Sequence, residues 1–253
     1  MGSEFIKPEE KDQLKPGTLY LVSTPIGNLR DITLRALDIL SGVDLIVAED
    51  TRTSKILLDA YQVRTPVISY HDFNKERVTP GLIARLKADQ SVAVISDAGT
   101  PGISDPAFYL VRQAIAENIT IRAIPGATAF TPALIVSGLP TDRFVFEGFL
   151  PPKKGRQKRL QELSREPRTI ILYESPRRVL KTLKDLYAHL GDRRVCIVRE
   201  ITKKFEQIIR STLAQITNES EEIILKGEFV ILVEGYTRKI KHEQQKLSQE
   251  KGK

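Results

Sequence analysis

The sequence predicts two α/β domains, the first on a mainly parallel five-stranded sheet with helices on both faces and the second on a mixed sheet. Three observations carry this expectation. From Thr18 to about Gly138, short β-rich apolar runs alternate with amphipathic stretches, and repeated β-α-β-α units imply parallel strands joined by right-handed helical crossovers. The pattern changes near Leu139-Pro140-Thr141-Asp142, after which a second set of strand-like runs begins. Within that set, the runs at 195–199 and 207–211 are separated by too short a gap for a helical crossover and are expected to pair antiparallel.

In chain order, the first domain (17–138) has buried strands at 19–22, 45–48, 67–70, 92–96 and 119–124. Apolar residues at helical spacing (Leu34, Leu37 and Leu40; Ile56, Leu57 and Ala60; Leu82, Ile83 and Leu86) place helices between them. The second domain (139–236) has strands at 144–149, 169–173, 195–199, 207–211 and 229–233, with helices at 157–164 and 179–190. Residues 1–16 read as a cloning remnant and extension, because Met1-Gly2-Ser3-Glu4-Phe5 has neither the basic nor the apolar region of a secretory signal. Residues 237–253 are polar, basic and aperiodic, the composition of a disordered tail.

Composition narrows the function classes. The 253 residues are 41% hydrophobic and 28% charged, which suffices for a real core. No apolar run approaches the roughly 20 residues of a membrane-spanning helix, so no membrane partner is expected. One cysteine, Cys196, excludes an internal disulfide framework and fits a reducing cytoplasm. With only His71, His189 and His242, scattered along the chain, no metal site is expected. The net charge of +7 is compatible with a polyanionic partner. It is concentrated at Lys153, Lys154, Arg156, Lys158, Arg159, Arg165 and Arg168, against only Glu162 and Glu166.

The polar and glycine-rich signals each follow a first-domain strand. They are Ser23-Thr24-Pro25-Ile26-Gly27-Asn28, Glu49-Asp50-Thr51-Arg52, His71-Asp72, the ten residues from Asp97 to Pro106, and Pro125-Gly126-Ala127-Thr128-Ala129. In an open parallel sheet these carboxyl ends share one edge, where ligands bind. The loop from Asp97 combines Gly99 and Gly102, which permit close backbone approach, with Pro101 and Pro106, which stiffen the turn. Neither a phosphate-binding P-loop, a dinucleotide G-x-G-x-x-G fingerprint nor a nucleophile elbow is present. What remains is a ligand held by backbone groups and small side chains.

Several runs together resemble the ribosomal RNA small subunit methyltransferase I family, of the two-domain tetrapyrrole-methylase fold class. They are Thr24-Pro25-Ile26-Gly27-Asn28-Leu29, Ala48-Glu49-Asp50-Thr51-Arg52, the stretch Ser96-Asp97-Ala98-Gly99-Thr100-Pro101-Gly102-Ile103-Ser104-Asp105-Pro106, Ser137-Gly138-Leu139-Pro140-Thr141-Asp142-Arg143-Phe144, Phe146-Glu147-Gly148-Phe149-Leu150-Pro151, Tyr173-Glu174-Ser175-Pro176 and Gly227-Glu228-Phe229. The resemblance implies methyl transfer from S-adenosylmethionine to a cytidine ribose 2′-hydroxyl in the decoding region of 16S rRNA, with the 30S subunit as partner and a homodimer as the assembly. It implies a cofactor site at Pro25, Asp97, Ala98, Gly99, Ile103, Ser104, Thr128 and Ala129, closed by Tyr173 and Gly227. Where the family usually has Pro-Gly-Pro-Ser-Ala, this chain has Pro125-Gly126-Ala127-Thr128-Ala129, which keeps a hydroxyl and loses a proline. Phe73 stands where the family often has histidine, excluding a catalytic histidine there, and Arg177 replaces a common histidine.

A ribose hydroxyl needs a proton acceptor. Glu49, Asp50 and His71 are the expected catalytic residues, with Glu174 a further candidate. A loop-shaping Asp50–Arg52 ion pair and a structural hydrogen bond at His71 are the bland alternatives. Arg52, Lys153, Lys154, Arg156, Arg177 and Arg178 are expected to contact RNA phosphates. A tetrapyrrole methylase and a non-catalytic RNA-binding protein are the competing functions.

Overall fold

A computed structural model describes residues 14–218 and 223–237. The expected cloning remnant and residues 238–253 of the expected tail lie outside the described residues. Two compact units divide between Thr128 and Ala129.

The first unit contains β1 (Thr18–Val22), α1 (Leu34–Gly42), β2 (Leu45–Ala48), α2 (Thr51–Ala60), β3 (Val67–Ser69), α3 (Lys75–Lys87), β4 (Val92–Ile95), α4 (Ala107–Ala116) and β5 (Thr120–Ile124). Its sheet order is β3-β2-β4-β1-β5 and every neighbouring pair is parallel, as the alternating pattern predicts. Successive strand residues point to opposite faces. Leu19, Val47 and Val94 therefore pack with Leu82 and Leu86 of α3 and Leu110 of α4. Tyr20, Ile46 and Ile95 pack with Ile39 and Leu40 of α1 and Leu58 of α2. Covering both faces explains why β2 and β4 are apolar throughout rather than alternating. Each fully buried Leu or Ile contributes about 1.5–3 kcal/mol, so these two layers hold the sheet edge rigid. Thr33 and Asp50 cap α1 and α2, accepting from the amides of Ala36 and Arg52.

The second unit contains α5 (Phe130–Ser137), β6 (Phe144–Phe149), α6 (Arg156–Leu163), β7 (Thr169–Glu174), α7 (Val179–Leu190), β8 (Arg194–Arg199), β9 (Gln207–Thr212), α8 (Leu213–Asn218) and β10 (Phe229–Val233). The sheet is mixed, in the order β6-β7-β10-β8-β9. Only β6 and β7 are parallel, and α6 is the crossover between them. The β8–β9 pair is antiparallel, as its short connection requires. Leu160, Leu183, Leu186 and Ile216 of α6, α7 and α8 bury one face of the sheet against Ile170, Leu172, Ile197 and Ile231. Helix α5 packs on β8 and β10. Phe130 stacks against Phe146 at 5.0 Å, and Arg210 donates to the carbonyl of Val136. This packing, rather than its place in the sequence, assigns α5 to the second unit. Its end is capped by Gly138 in the left-handed conformation, one residue before the sequence-based boundary. Among the described residues, no helix is long and apolar enough to cross a membrane.

Candidate active site

The parallel sheet brings the loops after β1, β2, β3, β4 and β5 to one edge of the first unit, and a set of short-range bonds stitches four of them together. Thr24 and Gly99 exchange backbone hydrogen bonds of 2.9 and 3.1 Å, joining the β1 and β4 loops. Ser23 Oγ lies 2.8 Å from Thr100 Oγ1, which donates to the carbonyl of Ala127 at 3.0 Å, adding the β5 loop. The amide of Asp50 donates to Asp97 Oδ1 at 2.9 Å and adds the β2 loop. Two glycines make this closeness possible. A Cβ on Gly99 would come 3.3 Å from Ile26 Cγ2, at a φ of +88°, and one on Gly126 would come 2.8 Å from Ser23 Cβ. We expect Gly126→Ala to lower stability by about 1–3 kcal/mol, the usual cost of overpacking. A melting temperature equal to that of the wild type would show that these loops yield freely.

Acidic groups dominate this edge. Burial raises the pKa of Glu49, and the charges of Asp97 and Asp105 raise it further, against a hydrogen bond from the Asp97 backbone. Loss of solvation likewise raises Asp97. Asp50 behaves in the opposite way. Arg52 chelates it through Nε and Nη2 at 3.1 and 2.8 Å and holds its carboxyl at about 2. The Asp50–Arg52 pair also caps α2, so the bland ion-pair reading describes its contacts well. His71 heads the loop after β3, where its amide donates to Asn74 Oδ1 at 2.8 Å. Its ring stands edge-on to Phe73, and its Nδ1 is buried with no hydrogen-bond partner. No structural hydrogen bond therefore accounts for that nitrogen. Among the described residues, no group of three or more His, Cys, Asp and Glu is placed to hold a metal ion.

Pro25 is buried, whereas Ala98, Ile103 and Ser104 are exposed on the β4 loop. Ser104 takes a φ of +68°, a left-handed value unusual for serine. Asp105, which sequence reasoning did not assign a role, accepts from the amides of Gly102 and Ala107, tying this loop to the start of α4. Its place inside the Asp97–Pro106 run was the available signal. Thr128 ends the first unit.

In the second unit, Ala129 opens the chain into α5, and burial raises the Tyr173 phenol against hydrogen bonds from the backbone of Phe130 and Ala129. Gly227 precedes β10 with a φ of +85°, where a Cβ would strike the carboxylate of Glu200 at 2.4 Å. Lys153, Lys154 and Arg177 are exposed. Arg156 and Arg178 are not free. Arg156 is 5% exposed and donates to Asp185 Oδ2 and Thr182 Oγ1, each at 2.8 Å. Arg178 Nε donates at 2.8 Å to Glu174 Oε1, and Thr182 Oγ1 donates at 2.7 Å to Glu174 Oε2. Glu174 is thus buried and fully engaged, which removes it from the candidate bases.

Residues 18–217 match the family model of the tetrapyrrole (corrin/porphyrin) methylases. The chain is 54% identical to the ribosomal RNA small subunit methyltransferase I of Synechocystis sp., over 87% of this chain and 80% of that protein. It is 48% identical to the protein of the same name from Halalkalibacterium halodurans, over 90% of this chain and 79% of that one. Uroporphyrin-III C-methyl transferase from Thermus thermophilus, solved in complex with S-adenosyl homocysteine, shares the fold with a TM-score of 0.59 and 20% identity, over 85% of this chain and 96% of that one. With matching motifs, topology and sequence, the chain belongs to the tetrapyrrole methylase family, together with the ribosomal RNA small subunit methyltransferase I proteins.

Proposed function

We propose that this protein transfers a methyl group from S-adenosylmethionine to the ribose 2′-hydroxyl of a cytidine in 16S rRNA of the small ribosomal subunit. The observation that carries this reading is the identity of 48–54% to small-subunit rRNA methyltransferases over most of the chain. The charged and small residues at the sheet edge support it chemically.

The residues present fit the cofactor. The carboxylate of Asp97 suits hydroxyl and ammonium donors, Ile103 offers exposed apolar surface to a purine, and Gly99 admits close backbone approach. Pro25, Asp97, Ala98, Gly99, Ile103, Ser104, Thr128, Ala129, Tyr173 and Gly227 form the proposed binding set. When bound, the cofactor supplies a sulfonium-activated methyl carbon for in-line displacement. Glu49 takes the proton from the ribose hydroxyl, because its raised pKa makes it the better acceptor of the two acidic catalytic candidates. Asp50 stays ionised and orients α2 and Asp97. His71 stays in the proposed catalytic set through its buried, unpartnered Nδ1. Arg52, Lys153, Lys154 and Arg177 remain in the phosphate-contacting set; Arg156 and Arg178 leave it because their guanidinium groups are already occupied inside the second unit. A cytoplasmic homodimer is part of this proposal.

Labelled S-adenosylmethionine should pass its methyl group to unmodified 30S subunits and not to a uroporphyrin-type tetrapyrrole. Transfer to the tetrapyrrole alone, or cofactor binding without transfer to either, would overturn the reading.

A further inference from the structure

The second unit carries a groove of about 400 Å³ lined by Glu147, Phe149, Pro151, Lys158, Arg159 and Glu162, none of them in the proposed cofactor-binding set. Its construction starts from an irregularity in β6. The β6–β7 register shifts between Phe146 and Gly148, and Gly148 adopts a φ of +60°. Such a bulge re-aims a side chain, and here Glu147 reaches Arg159 on α6. Both Glu147 oxygens accept from Arg159, through Nε and Nη2 at 2.6 Å each, while Nη1 donates to Glu162 at 2.7 Å. Two carboxylates thereby clamp the guanidinium plane, and its pKa is driven above the ordinary arginine value by these hydrogen bonds. Glu147 is almost wholly buried, but Arg159 keeps 42% of its side chain exposed.

A structural ion pair would have no need of the groove's other wall. Phe149 is an aromatic residue on an edge strand and 52% exposed, propped edge-on against Tyr173 at 5.8 Å. Exposed Lys158 lies on the first turn of α6, and exposed Lys153 and Lys154 precede it. A fixed guanidinium plane and a supported aromatic ring are surfaces on which unstacked bases are held, and neighbouring lysines hold the phosphates between them. The volume is that of a small-molecule site.

We propose that this groove binds an unpaired nucleotide of the RNA substrate flanking the methylated one. The base lies between Phe149 and Arg159, and Lys158 contacts a phosphate. The inference rests on the RNA-methylating reading above and gives it a second, non-catalytic anchoring point.

The test compares wild type, Phe149→Ala, Phe149→Trp and Lys158→Glu as full chains. KM and kcat are measured with 30S subunits, cofactor affinity by calorimetry, and folding by thermal melting. Phe149→Ala is expected to raise the KM for subunits about 5- to 100-fold, with Phe149→Trp restoring it. Lys158→Glu, at an exposed position where folding is not at risk, should raise KM and reduce its dependence on salt. Cofactor affinity should be unchanged in all three. An unchanged KM in both Phe149→Ala and Lys158→Glu, with the wild type active on 16S rRNA, overturns the groove and leaves the function intact. A Phe149→Ala defect that tryptophan does not rescue, or one matched by lost cofactor affinity, also overturns it. A wild type that does not methylate rRNA overturns both proposals.

Discussion

Arg156→Ala is expected to cost about 3 kcal/mol of stability, the lower end of the range for breaking a buried ion pair, because its partner Asp185 retains 22% exposure. At roughly 2–4 °C per kcal/mol for a chain of this size, the melting temperature should fall by about 6–12 °C. The reason lies in a connected set of bonds. Arg156 joins Asp185 to Thr182, Thr182 donates to the buried Glu174, and Arg178 closes the other side of that carboxylate. Removing Arg156 leaves Thr182 and Asp185 short of a donor. Arg156→Lys should recover little, since one ammonium cannot reproduce two directed guanidinium contacts and the third, longer one to the carbonyl of Pro151 at 3.3 Å. A normal melting curve combined with lost affinity for 30S subunits would return Arg156 to the RNA-contacting surface.

For Glu49→Gln, kcat should fall about 10²- to 10⁴-fold, the usual contribution of a positioned base. The pKa of Glu49 is raised by burial and by the charges of Asp97 and Asp105, so the working carboxylate is populated only as pH rises through a value above the ordinary glutamate range. Wild-type activity should therefore decline on acidification along a limb that the glutamine variant lacks. Stability carries the opposite sign. A carboxylate whose pKa is higher in the folded than in the unfolded state destabilises the fold once pH exceeds its unfolded value. Glu49→Gln should thus melt no lower than wild type at neutral pH, while losing activity. Full activity in Glu49→Gln would transfer the base role to His71, and a lowered melting temperature would mark Glu49 as structural.

Most of the fold was legible because the strands are short, apolar and regularly spaced. The sequence-based strands at 45–48, 144–149 and 229–233 coincide with β2, β6 and β10, and each of the others differs by one residue at one end, where backbone pairing rather than composition decides. Helices α4, α5 and α8 were not marked. Helix α5 is apolar nearly all round, with Phe130, Ala133, Leu134 and Ile135 in eight residues, so its periodicity gives no face, and only packing on β8 and β10 reveals its place.

The convergence of loops at the sheet edge was readable from parallel topology alone. The fate of individual charges was not. Arg156 and Lys158 sit two residues apart in the same basic run, yet one is buried and the other exposed, because helical geometry turns position 156 toward α7. Glu174 looked like a candidate base until Arg178 and Thr182 were seen to occupy it. The Glu147–Arg159 pair depends on a bulge whose sequence mark, a single glycine at 148, is indistinguishable from an ordinary strand glycine.

The most direct test of the central claim is the chemical position of the transferred methyl. Unmodified 30S subunits are incubated with the protein and labelled S-adenosylmethionine, and the extracted 16S rRNA is hydrolysed with alkali and analysed by mass spectrometry. A ribose 2′-O-methyl group blocks cleavage at its own phosphodiester, so the label is expected in a single alkali-resistant dinucleotide beginning with cytidine. Label released in mononucleotides, carried on a base, or absent from 16S rRNA would contradict the account.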